Sequence, residues 1–154
     1  MRDILTNETL VSLIDPSIEN IDDAFDKLVY EKVFPLEYIP ETIEDASTFL
    51  CFDVDVAKSF NKTFLSPVIH VWFFTHKSLL RLPEGGLRID ALASELSKVL
   101  NGSRYYGLGE LDLYSVKRFT PLADYQGRHM TFKAKDFNRP APSKHPIPAN
   151  RKKW

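Results

Sequence analysis

Two carboxylates stand two positions apart in Phe52-Asp53-Val54-Asp55. On a strand they would share one face, and clustered oxygens suit a hard divalent cation. The matching chemistry is a metal-dependent nuclease or phosphotransfer centre using Asp53 and Asp55. Such ions need several oxygens, and no third or fourth ligand stands near the pair. The competing reading is the solvated side of a half-buried strand. The histidines His70, His76, His129 and His145 show no ligand spacing within any helix. His70 falls on an otherwise apolar strand and reads as a hydrogen-bonded core or interface group. Cys51, the sole cysteine, has no basic neighbour to activate it and reads as a buried structural thiol. It leaves no intrachain disulfide and no cysteine-based zinc site. Gly85-Gly86 and Gly107-Leu108-Gly109 lack the spacing and the Lys-Ser/Thr of a phosphate loop, so they read as turns. The serines lack a nucleophile-elbow motif. The expectation is a chain without catalytic residues, metal or cofactor.

Basic groups have a different distribution. His129, Lys133 and Lys135 would project from one strand beside Lys117 and Arg118, with Tyr105, Tyr106 and Tyr114 nearby. Such a face could stack and hold nucleic acid. Residues 1–57, however, carry 14 acids against 3 bases, and no ribonucleoprotein-type aromatic motif is present. A protein-facing surface is the better reading. Residues 58–138 hold 7 acids and 12 bases, and residues 139–154 hold 5 bases and no acid. The formal net charge of −1 therefore conceals a chain that is acidic at one end and basic at the other. That asymmetry bears on partners rather than on fold.

The elements that must position these groups follow from periodicity. Leu10, Val11, Leu13 and Ile14 form an apolar cluster that Asp15-Pro16 ends. Ile18, Ile21, Phe25, Leu28 and Val29 recur at helical spacing from a start at Asp15-Pro16-Ser17. Phe34–Pro40 reads as extended and irregular. Thr48–Val56 alternates as a strand, and Pro67–Thr75 is apolar on both faces, as a central or oligomer-buried strand must be. Ile89, Leu92, Ala93, Leu96, Val99 and Leu100 form a helical stripe stopped by Asn101-Gly102. Glu110–Phe119 places Leu111 and Leu113 on one side, Tyr114 and Val116 on the other. Arg128–Phe137 places Met130, Phe132 and Ala134 inward, with His129, Thr131, Lys133 and Lys135 outward. Asp124-Tyr125-Gln126-Gly127 reads as the connecting loop.

The fold expectation is α+β, an antiparallel four-stranded sheet with helices packed on it. A chain of 154 residues fits one domain over 1–138, with a helical segment at 1–46 and a sheet core at 47–138. Arg139–Trp154, with Pro140, Pro142, Pro146 and Pro148, reads as a basic extended arm. Candidate interaction residues are Arg139, Lys144, Arg151, Lys152, Lys153 and Trp154 on that arm. Trp72, His70, Lys133 and Lys135 are the candidates on the sheet. No run of about 18 apolar residues could span a bilayer, and acids occupy the place of a signal's apolar run. The expectation is a cytoplasmically made protein with no membrane partner.

The run Ser66-Pro67-Val68-Ile69-His70-Val71-Trp72-Phe73-Phe74 leads to Gly86-Leu87-Arg88-Ile89-Asp90-Ala91-Leu92. Gly109-Glu110-Leu111-Asp112-Leu113, Phe119-Thr120-Pro121, Tyr125-Gln126-Gly127-Arg128 and Phe132-Lys133-Ala134-Lys135-Asp136-Phe137-Asn138 follow. In this order, over about 48–138, the chain resembles the tail terminator or tail-completion proteins that join head to tail in long-tailed bacteriophages. The resemblance implies a structural virion subunit at the head–tail junction. It implies six copies in a ring on the tail tube, meeting the tube protein and a neck or stopper protein. DNA would pass through without being read. A stopper or adaptor contacting the portal side is the neighbouring alternative. A bore for DNA favours a lining that is not strongly basic, because phosphate contacts dominate non-specific affinity. Most of the Lys/Arg excess is then expected to face protein.

Overall fold

A computed structural model of the chain describes residues 2, 4–39, 45–61, 64–104, 109–134 and 136–137. Helix α1, Glu8–Ile14, begins where the Asn7 side chain accepts the Leu10 N–H at 3.0 Å, and it ends at Asp15 before Pro16. Its Leu10, Val11, Leu13 and Ile14 are all buried. The next helix is shorter than its spacing suggests. A 3-10 turn at Ile21–Asp23 precedes α2, Ala24–Leu28. The Asn20 carboxamide takes the Asp22 N–H at 3.1 Å, which offers the backbone a start three residues after Ser17. Asp15 ties this region together. It accepts from Lys32 Nζ at 2.6 Å and from the Ser17 hydroxyl at 2.7 Å. Burial pushes its carboxyl up, but these bonds outweigh that and hold it below the ordinary carboxylate value.

The sheet corrects the expected antiparallel four-stranded arrangement. Strand β1, Val33–Phe34, runs parallel to β2, Thr48–Asn61. Strand β3, Phe64–His76, pairs antiparallel with β2 and with β5, Tyr125–Ala134. Strand β4, Leu111–Phe119, flanks β5, giving the order β1-β2-β3-β5-β4. Strand β6, Asp136–Phe137, lies off this path beside the start of β3. The sheet is thus mixed, with one parallel pair. A two-residue strand ending before Pro35 shows no alternation, so periodicity could not reveal β1. The α+β class itself agrees with the structure.

Helix α3, Arg88–Leu100, buries Ile89, Leu92, Leu96 and Leu100 against one sheet face. Leu50, Ile69, Val71, Phe73, Leu111, Met130 and Phe132 meet it from the strands, and α1 completes the core. Arg88 fastens the layer. Its guanidinium donates to the Leu13 carbonyl at 2.6 Å and to the Leu79 carbonyl at 2.9 Å. The first of these is an orphan acceptor at the end of α1.

Two further expectations change. A register shift between Leu113 and Ser115 sets Val116 opposite Met130, so Val116 returns to the face of Leu113. The cause is one extra residue in β4, which reverses the alternation. Tyr125, Gln126 and Gly127 belong to β5 rather than to the loop, because Gly127 pairs with both Phe74 and Phe119. A Cβ on Gly127 would overlap the Phe73 carbonyl oxygen and crowd Phe74. Gly127→Ala is therefore expected to destabilise the fold by about 2 kcal/mol or more, measured by denaturant unfolding. An unchanged midpoint would contradict this close approach.

Candidate interaction surface

The sheet face away from α3 holds a second, smaller aromatic cluster. Phe34, Phe49, Cys51, Trp72, Phe74 and Tyr125 are buried there. Alternation puts these residues on that face of β2, β3 and β5, and the pairings Cys51↔Trp72 and Trp72↔His129 carry it across three strands. Phe49 packs on Phe74 with ring centres 5.2 Å apart, and Phe34 packs on Tyr38 at 4.2 Å. Burial pushes the Cys51 thiol up to about 11, and its sulfur lies 3.4 Å from the Tyr38 carbonyl. This is the structural thiol expected from the sequence. A thiol reagent at about pH 8 is expected to modify native Cys51 far more slowly than the unfolded chain, measured by mass.

Beyond this cluster the face opens to solvent through a stack of rings. Trp72 and His129 lie nearly parallel, at 8° with centres 4.7 Å apart. His70 stacks on both, at 5.4 Å from Trp72 and 5.1 Å from His129. His70 Nδ1 is 2.9 Å from His129 Nε2, and His70 Nε2 is 3.4 Å from Asp55 Oδ2. In the tautomer that carries its proton on Nε2, His70 points that N–H toward Asp55 and accepts the His129 Nε2–H at Nδ1. The result is a polar chain, Asp55–His70–His129, laid over an indole.

His70 and Trp72, both expected as interaction residues, are thus in contact. Lys133 shares their face, two positions beyond Thr131, which pairs with His70. Its ammonium sits 3.1 Å from the centre of the Tyr114 ring, a cation–π contact. Lys135, Arg139, Lys144, Arg151, Lys152, Lys153 and Trp154 lie outside the described residues. Thr131, expected outward, is buried, and His129 is half-buried because the Trp72 ring covers it. Sequence reasoning did not pair His129 with His70, since 59 residues separate them.

Asp53 and Asp55 do share a face, but they are engaged differently. Asp53 Oδ1 accepts the Val54 N–H at 2.8 Å, whereas Asp55 turns to His70. Among the described residues no group of three or more His, Cys, Asp or Glu is placed to hold a metal ion. Among them, too, no helix is long and apolar enough to cross a membrane.

A family model matches residues 7–134, from the cap of α1 to the end of β5. The chain belongs to the YomW family. YomW is a phage-derived, Bacillus-type gene name, and the membership points to a phage-associated protein. The YomW match covers the whole aromatic and histidine surface and stops short of Arg139–Trp154. No curated protein matches the chain.

Burial, with the His70 ring and the Lys117 ammonium, holds His129 below the ordinary histidine value of 6.5. The unfolded chain therefore takes up this proton first as pH falls. The contribution to stability is complete above about pH 6.5 and is lost progressively below it. Denaturant unfolding at about pH 8 and about pH 5 is expected to show this acid loss, and His129→Gln to reduce it. An identical pH slope in the variant would contradict the assignment.

Proposed function

We propose that this chain is a structural subunit of a phage tail terminator, forming a ring at the end of the tail tube and joining tail to neck. Membership of a phage-associated family supports the setting. The observation that carries the reading is a pair of separate exposed apolar patches, one on the segment that follows β1 and one on the β4 edge, at opposite ends of the strand order. On the segment after β1, where Tyr38 packs on Phe34 and its carbonyl reaches Cys51, Leu36, Tyr38 and Ile39 are 49%, 39% and 38% exposed. At the β4 edge, Tyr114 and Val116 are 65% and 46% exposed. A ring requires two different surfaces that meet head to tail and close. A single apolar patch would favour a two-fold dimer instead. A bare edge strand such as β4 also presents unpaired backbone groups that a neighbouring copy can cover.

In this reading the protein is not an enzyme and carries no cofactor. It meets its own copies, the tail tube protein and a neck or stopper protein, and DNA passes through its bore. Six copies follow from the resemblance to tail terminators.

The test is native mass in solution, alone and with the tail tube protein. The expected species has about six times the 17.7 kDa of one chain, formed alone or only on tube ends. Tyr114→Lys is expected to block ring formation while leaving the subunit folded, because a charge on an exposed edge opposes pairing. A monomer that ignores the tube and instead captures portal-side neck proteins would assign the chain to a stopper or adaptor. Unchanged assembly in Tyr114→Lys would remove β4 from the interface.

A further inference from the structure

The helical side of the molecule carries a groove that neither the core nor the edge surfaces account for. Two adjoining depressions lie between the N-terminal stretch up to and including α1 and the stretch from Ile18 to Asp26, which includes the start of α2. The first, of 480 Å³, has Leu5, Ile21 and Phe25 as its apolar floor and Asp22 and Asp26 on its rim. The second, of 410 Å³, shares Ile21 and adds Val11 and Ile18, with Glu8 and Glu19 on its rim. All four rim carboxylates are exposed. One cation already shows what the groove accepts. The Arg2 guanidinium lies 5.1 Å from the centre of the Phe25 ring, in the depression rimmed by Asp22 and Asp26. This is a cation–π contact in an acidic setting, with one positive charge set against four carboxylates.

The sequence contains a segment of matching chemistry. Residues 139–154 bring five Lys/Arg and no acid, four prolines that favour an extended backbone, and an indole next to three consecutive cations in Arg151-Lys152-Lys153-Trp154. We propose that the groove is the docking site for this segment. Lys152 and Lys153 face Asp22 and Asp26, and the Trp154 ring lies over Ile21 and Phe25. A proline-rich strand suits a shallow apolar trough because little backbone freedom remains to be lost on binding. Phe137 is paired at Phe64, and the 17 residues beyond it reach about 50 Å at roughly 3 Å each, which gives the segment a long tether. The pairing stands independently of the tail-terminator reading.

The experiment uses the full chain with a benzophenone-bearing phenylalanine in place of Trp154, irradiated and mapped by mass spectrometry. Crosslinks are expected within residues 2–26, and products with the mass of one chain or of two both support the pairing. Asp22→Lys combined with Asp26→Lys changes only exposed side chains. It is expected to lower the yield about fivefold or more and to make the remainder less salt-sensitive. Adding Lys152→Asp and Lys153→Asp to that variant is expected to restore the yield, which a merely misfolded groove could not do. Crosslinks concentrated on Trp72, His129 or the β4 edge would overturn the proposal. So would a yield unaffected by the reversal, or one that the double swap fails to recover.

Discussion

The structure depends on a strand that must be covered on both sides. Strand β3 alternates Ile69, Val71 and Phe73 with His70, Trp72 and Phe74, so neither face can be left in water without cost. The helical layer answers for the first set, through Leu92 and Leu96 of α3 and Leu10 of α1. The second set is only partly answered. Phe34, Phe49, Cys51 and Tyr125 cover the Phe74 end, and toward Asp55 the face gives way to stacked rings and a polar chain. A histidine pair can do this because each ring offers an apolar face to Trp72 and a polar edge to its neighbour.

That half-finished face explains the residues around it. Gly127 lacks a side chain because its neighbours are the Phe73 carbonyl and Phe74. The bulge in β4 turns Val116 back toward the helical face and leaves Tyr114 to pack under Lys133. Edge, bulge and ring stack together make a surface that is apolar in part and polar in part. The depression of the His129 proton affinity has the same origin. Burial, the His70 ring and the Lys117 ammonium make a positive charge on His129 unfavourable.

Much of the fold was legible along the chain, because strong periodicities report burial directly. The α3 stripe appears in the structure as the buried row Ile89, Leu92, Leu96 and Leu100, and the two-faced strand sits at the sheet centre. The features that escaped share one physical cause. The parallel strand β1 is too short to alternate, α2 starts late because a side chain competes for the backbone, and the β4 bulge inverts a pattern that looks regular. In each case a local hydrogen bond or a distant partner outweighs the average preference of the residues.

The candidate surface divides along the same line. Residue types alone determined that Cys51 would be a quiet thiol, that His70 would belong to a packed face, and that acids and bases would sit at opposite ends of the chain. Only the tertiary structure brought His129 to His70 across 59 residues of sequence and set Asp55 beside His70, and only it carved a groove among the acids of the helical segment. Periodicity encodes which side of an element is buried. Strand register and helix docking decide which distant side chains then meet, and those depend on contacts that no local pattern contains.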